Sequence, residues 1–211
     1  MLGGVIFDLD GTLGDTLPVC FAAFGATTAR FLGPEHTEDE LRAMFGPTEE
    51  GILASLLADT SEQALDHFLD GYRFHHHLTP RPFDGIVDLL DRLDARDIPA
   101  AVVTGKGPRS ARISLDAWGI TDRFDRVEPG GDHGSIKRER MAAVVSGWEV
   151  DPGSVVSMGD AVTDITAARH AGVIPVAAAW SPGTDAAALR AGDPDAVFDD
   201  VASFAAWLEH H

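Results

Sequence analysis

With 211 residues, 45% of them hydrophobic, the chain has enough apolar material for one large domain or for a domain carrying an insertion, and disorder is not its default state. Its 34 acidic residues against 16 basic ones give a formal net charge of -18. That charge argues against nucleic-acid and anionic-membrane partners, which need a positive surface, and it favours divalent cations.

The first apolar run, GVIFDLD at 4–10, reads as a buried strand ending in Asp8 and Asp10. It is too short to span a bilayer, aspartates interrupt it and no basic leader precedes it, so a membrane-embedded or secreted chain is not expected. Cys20 is the single cysteine, which excludes an internal disulfide framework and fits a reducing cytoplasm. From 16 to 80 the pattern is of several helices and no convincing strand, with turn signals at both edges, DTLP at 15–18 and TPRPFDG at 79–85. Phe21, Phe24 and Phe31 recur at helical spacing and are expected in the core of that segment. The run HHH at 75–77 reads as helix surface rather than as a metal site, because consecutive residues diverge on a helix.

Beyond residue 80 short apolar runs alternate with helix-length segments. Strands are expected at 98–105, 154–160, 175–180 and 196–200, with a weaker one at 124–129, and helices at 84–96, 108–119, 136–147, 162–171, 184–191 and 201–207. This is the pattern of an α/β fold with a mostly parallel sheet. The closing residues LEHH, 208–211, resemble the start of a vector-derived histidine tag and are set apart from the fold.

In an open parallel sheet, ligands gather beyond the carboxyl ends of the strands. There the first strand delivers Asp8 and Asp10, the second Thr104, Gly105 and Lys106, and a later one Gly159 and Asp160, with Asp164 one helical turn on. Oxygen-only acidic ligands suit Mg2+, while a hydroxyl, backbone N–H groups and a lysine suit a phosphoryl group. Lysine occurs only twice, as Lys106 and Lys137, against fourteen arginines. Both lysines flank these loops, as if a compact point charge were required there.

DLDGT at 8–12, VVTGK at 102–106, Lys137 and GDAVTD at 159–164 resemble the four motifs of the haloacid dehalogenase superfamily, and in particular its phosphoglycolate-phosphatase-like branch. The resemblance implies a Rossmann-like core of residues 1–15 and 81–207 and a helical cap, 16–80, inserted after the first strand. It further implies a Mg2+-dependent phosphomonoester hydrolase acting on a small phosphorylated metabolite, with phosphoglycolate the leading candidate. On that basis Asp8 is the nucleophile and Asp10 the general acid and base. Thr104 and the Gly105 N–H hold phosphoryl oxygens, and Lys137 neutralises charge. Asp8, the Asp10 carbonyl, Asp160 and Asp164 serve the metal. Lys106, and Thr48 and Glu49 of the cap stretch GPTEE, are expected to contact substrate.

Three departures from the family pattern bear on these expectations. Arg-Glu-Arg follows Lys137, which leaves open whether Lys137 or Lys106 faces Asp8, with Lys137 favoured. Gly14 stands where a bulkier residue is usual, suggesting a loosened hinge into the cap. Residues 16–80 contain no lysine, which argues against phosphonate-hydrolysing and mutase relatives. Asp10 and Asp160 argue against dehalogenating ones. A sugar-phosphate mutase is the nearest alternative, and a phospho-accepting receiver-like domain, whose aspartates occur in a different order, a more distant one.

Overall fold

The computed structural model describes residues 2–33 and 35–211. Six parallel strands form one sheet: β1 (Gly4–Phe7), β2 (Ala100–Val103), β3 (Arg126–Glu128), β4 (Val155–Gly159), β5 (Ile174–Ala178) and β6 (Ala196–Phe198), in the order β3-β2-β1-β4-β5-β6. The expected weak strand at 124–129 is the edge strand β3, and its half-exposed side chains explain its faint apolar signal.

Alternation along β1 shows why its sequence reads as an unbroken apolar run. Val5 and Phe7 enter one core layer with Ile86, Leu90, Leu115 and Phe204. Ile6 enters the opposite layer with Val103, Met141, Val144 and Val155. Helices α5 (Ile86–Asp94), α6 (Pro108–Ala117) and α10 (Val201–Leu208) supply the first layer, and α7 (Lys137–Trp148) and α8 (Val162–Ala171) the second. A short α9 (Ala186–Ala191) precedes β6. The strand order reverses between β1 and β4, so the crevice for a ligand lies beyond the carboxyl ends of these two neighbours.

Between β1 and β2 lie α1 (Leu17–Leu32), α2 (Glu38–Arg42), α3 (Glu49–Leu57) and α4 (Ser61–His75). Pro18 pre-forms the first turn of α1, and Thr37 with Glu40 makes a capping box on α2. These helices bury a cluster of their own, in which Phe24 of α1 meets Phe68 of α4 edge-on with centroids 5.8 Å apart. Phe21 is buried in it and Phe31 packs against its margin. His76 is buried with Nε2 3.1 Å from Ser114 Oγ, whereas the His75 and His77 rings lie apart from it, both edge-on to Phe74.

Two expectations are corrected. Gly14 does not loosen the chain: a Cβ there would lie 2.4 Å from the Trp118 ring, and the Gly14 carbonyl accepts from Gly11 N–H at 2.9 Å, so the absent side chain makes room for tight packing. Leu208 does not stand outside the fold. It is the last residue of α10, it is 1% exposed within the main core, and Glu209 beyond it pairs with Arg92 at 2.8 Å. An isolated terminal tetrapeptide carries no periodicity from which to see this.

Leu208→Ala is expected to lower unfolding stability by about 2–4 kcal/mol, the cost of a cavity at a fully buried leucine. Denaturant unfolding measures it, and a change within about 0.5 kcal/mol would show that Leu208 lies outside the core.

Candidate active site

β1 ends at Phe7, and Asp8 is the first residue beyond it, held by donation from its N–H to the Met158 carbonyl of β4 at 2.9 Å. The chain then turns sharply, with Leu13 N–H donating to the Leu9 carbonyl and Gly11 at φ 74°. Only glycine fits at position 11, because a Cβ would lie 2.0 Å from Asp160 Oδ2 in addition to the left-handed backbone. The DLDGT run is therefore one compact loop laid against the loop after β4.

Lys137 is the lysine that faces Asp8. Its Nζ lies 3.0 Å from Asp8 Oδ1 and 2.5 Å from Asp164 Oδ1. A lysine at the first position of a helix opposes the helix dipole, so its place there is explained by the carboxylates rather than by helix stability. Asp164 holds the ammonium with one oxygen and accepts from Ala161 N–H with the other at 3.1 Å, which fixes its orientation at the start of α8. Asp160 joins the group from the end of β4, and Thr184 donates to its Oδ2 at 3.3 Å.

Ligand oxygens of Asp8, Asp160 and Asp164 all lie within 4.8 Å of one another. One ammonium cannot balance three closely set carboxylates, two of them buried, and the imbalance appears in the acidity of Asp8 and Asp160. Burial raises the Asp8 carboxyl, Lys137 pulls it back, and Asp164 and Asp10 push it up again, to about 7. Asp160 is raised to about 8 by burial and by Asp8 and Asp164. Asp8 Oδ1 meets Lys137 as an ion pair but accepts no hydrogen bond among the described residues. A surplus of buried negative charge, all-oxygen donors and an unsatisfied carboxylate oxygen together fit a hard divalent cation.

Asp10 points to a different set of neighbours and its side chain is outside that cluster. The Thr16 hydroxyl donates to its Oδ1 in a short hydrogen bond, and Lys106 Nζ lies 3.4 Å from the same oxygen. Lys106 also lies 3.2 Å from Glu49 Oε1 and 4.7 Å from the centroid of the Tyr72 ring. Burial works against the charge on Lys106, yet Asp10, Tyr72 and Glu49 hold its pKa well above the ordinary value. Glu49, 5% exposed, is fully engaged: Gly107 N–H donates to Oε2 at 2.6 Å and Ser110 Oγ to Oε1 at 2.9 Å.

The other expected residues divide. Thr104 is buried, and its Oγ1 accepts from Lys106 N–H at 3.2 Å, which leaves its own proton to donate. Gly105 faces open space, with nothing within 4 Å of a Cβ placed on it. Gly105, Lys106 and Glu49 line a cavity of about 360 Å³ together with Asp10 and Lys137. Thr48 does not: its hydroxyl caps α3 by accepting from Gly51 N–H and donates to Asp132 Oδ1 at 2.5 Å. The expectation that Thr48 contacts substrate is therefore corrected, since a threonine just before Glu-Glu is a helix cap first. Thr16, Tyr72, Ser110 and Thr184 were not legible as site residues, because each earns its place through a partner distant in sequence.

These features define a Rossmann-like α/β protein with an acidic, lysine-bridged centre at its topological switch point. The chain belongs to the haloacid dehalogenase-like hydrolase family, whose match spans residues 5–178. It is 32% identical over 179 residues to the N-acetylmuramic acid 6-phosphate phosphatase of Pseudomonas aeruginosa, covering 81% of this chain and 79% of that protein. It is 32% identical over 183 residues to a phosphoglycolate phosphatase of Xylella fastidiosa, covering 83% and 80%. A solved haloacid dehalogenase-like family protein from Streptococcus pneumoniae, 24% identical, shares the fold with a TM-score of 0.77 over 98% of both chains. No helix among the described residues is long and apolar enough to cross a membrane.

The raised carboxyls make the metal-free protein sensitive to base. Folded Asp160 holds a proton from about pH 4 to about pH 8 that the unfolded chain has released, so this contribution to stability is lost as pH rises through that window. Asp160→Asn is expected to flatten the profile. In EDTA its unfolding temperature should exceed that of the unsubstituted protein more at about pH 9 than at about pH 5, and equal differences at both would contradict the charge crowding.

Proposed function

We propose that this protein is a phosphomonoester hydrolase that cleaves a small phosphorylated metabolite through an aspartyl-phosphate on Asp8. The observation that carries the proposal is the placement of Lys137 between Asp8 and Asp164, with Asp160 alongside, at the β1–β4 switch point. Membership of a hydrolase family, with two phosphatases among its relatives, supports the same chemistry.

In this reaction an oxygen of Asp8 attacks phosphorus in line with the leaving oxygen. The phosphorus–oxygen bond to the leaving group breaks as Asp10 gives that oxygen its proton. Asp10 then takes a proton from a water that attacks the aspartyl-phosphate, which releases inorganic phosphate and restores Asp8. Thr16 and Lys106 hold Asp10 Oδ1 and leave Oδ2 to carry the proton. Lys137 offsets charge on the nucleophile and the phosphoryl group, while Asp164 keeps the ammonium in place. The Thr104 hydroxyl and the Gly105 N–H are assigned to phosphoryl oxygens.

Asp8, Asp160 and the Asp10 backbone carbonyl would hold Mg2+, with Asp164 behind them; when bound, the ion supplies charge neutralisation between two anionic reactants. Residues 16–80 act as the cap over a core of 1–15 and 81–208, excluding bulk water from the cavity. The lone buried Cys20 fits a reducing cytoplasm.

Asp8→Asn should lower phosphate release from p-nitrophenyl phosphate by about a thousandfold or more while leaving the unfolding transition in place. Undiminished release would sink the mechanism. For the unsubstituted enzyme, EDTA should abolish release and added Mg2+ restore it; activity indifferent to both would remove the metal from the scheme.

A further inference from the structure

We infer that the cap side of this cavity selects a phosphate ester whose leaving group is uncharged and largely apolar, rather than one carrying a carboxylate. The inference rests on the phosphatase reading and concerns the leaving group alone.

Leu17, Cys20, Phe45, Pro47 and Ile52 form the apolar part of the cavity wall contributed by the cap, which also contributes Gly46 and Glu49. Burial pushes the Cys20 thiol up to about 12, so it stays neutral and belongs to that wall. An anionic leaving group would need a cation there, and among the described residues lining the cavity the only cations are Lys106 and Lys137. Lys137 is committed to Asp8 and Asp164. Lys106 sits between Asp10 and Glu49, so its ammonium is committed to two carboxyl groups before any substrate arrives. A substrate carboxylate would set a further negative charge beside Glu49 around one ammonium, against like-charge repulsion, and would lose its hydration beside the apolar side chains.

Glu49 is what neutralises the second charge. It is a cap residue held by three donors from the core, Lys106, Gly107 and Ser110. Without it Lys106 would keep Asp10 as its one carboxyl partner and could meet an anion. The specificity is thus set by a buried glutamate that occupies the position a substrate carboxylate would otherwise claim.

The test compares two esters of equal size, 2-phosphoglycolate and its carboxamide analogue, on the Mg2+-loaded enzyme, with p-nitrophenyl phosphate as a general substrate. The carboxamide should exceed 2-phosphoglycolate in kcat/KM by about tenfold or more. Glu49→Gln keeps the size of the side chain, removes its charge and replaces one accepting oxygen with a donor, and it should shift the ratio towards phosphoglycolate by about tenfold. Phe45→Arg, which places a cation in the wall without touching the Lys106 ion pairs, should shift it in the same direction. Equal or faster hydrolysis of phosphoglycolate by the unsubstituted enzyme overturns the inference and leaves the phosphatase reading intact. A ratio moved by neither variant overturns it as well. No phosphate release from any of the three substrates, with the fold preserved, overturns both readings.

Discussion

The ammonium of Lys137, held between Asp8 and Asp164, is the interaction on which the rest of the site depends. Three carboxylates converge on a space a few ångströms across because three chain segments end there: the strand carrying Asp8, the strand carrying Asp160 and the helix carrying Asp164. One partly buried lysine neutralises part of that charge, while burial and then the charge that remains raise the carboxyls of Asp8 and Asp160. A site with this surplus is unfavourable when empty and favourable to a cation and a phosphoryl group together. The same crowding explains Gly11, whose missing side chain lets the first loop approach Asp160.

A second lysine couples the site to the helices above it. Lys106 leaves the sheet beside Thr104, reaches Asp10, and continues to Glu49 and the Tyr72 ring of the inserted helices. The insert contains no lysine, and the core supplies one to it. Because Glu49 also receives the Gly107 N–H and the Ser110 hydroxyl, the insert is anchored to the start of α6 by a fully satisfied buried carboxylate. The Asp10 carboxyl and the position of the insert therefore share one ion-pair network. A change in either is felt by the other.

Much of this was legible before any coordinates. The alternation of apolar runs with helix-length segments marked the parallel sheet, since a strand covered on both faces must be apolar throughout. The ends of those runs marked Asp8, Asp10, Thr104 and Asp160, because a parallel sheet places its polar loops together whatever its exact order. The scarcity of lysine marked Lys106 and Lys137. The places of Gly14 and Leu208 are not legible in the sequence for one reason: their partners, Trp118 and the side chains of α5, lie far away in the chain. Thr48 is the opposite case, since its use as a helix cap is local and can be read from the Glu-Glu that follows it.

The sequence by itself determined the elements, their order and the chemical types delivered to the sheet edge, because hydrophobic period and turn chemistry are local properties of the chain. Only the tertiary structure decided which charges meet. Both lysines adjoin strand-end loops, and nothing local separates the one that pairs with Asp8 from the one that pairs with Asp10 and Glu49. Ion pairing depends on distance after packing. It was the fold of α7 against the sheet, and of the inserted helices against α6, that assigned each ammonium to its carboxylates.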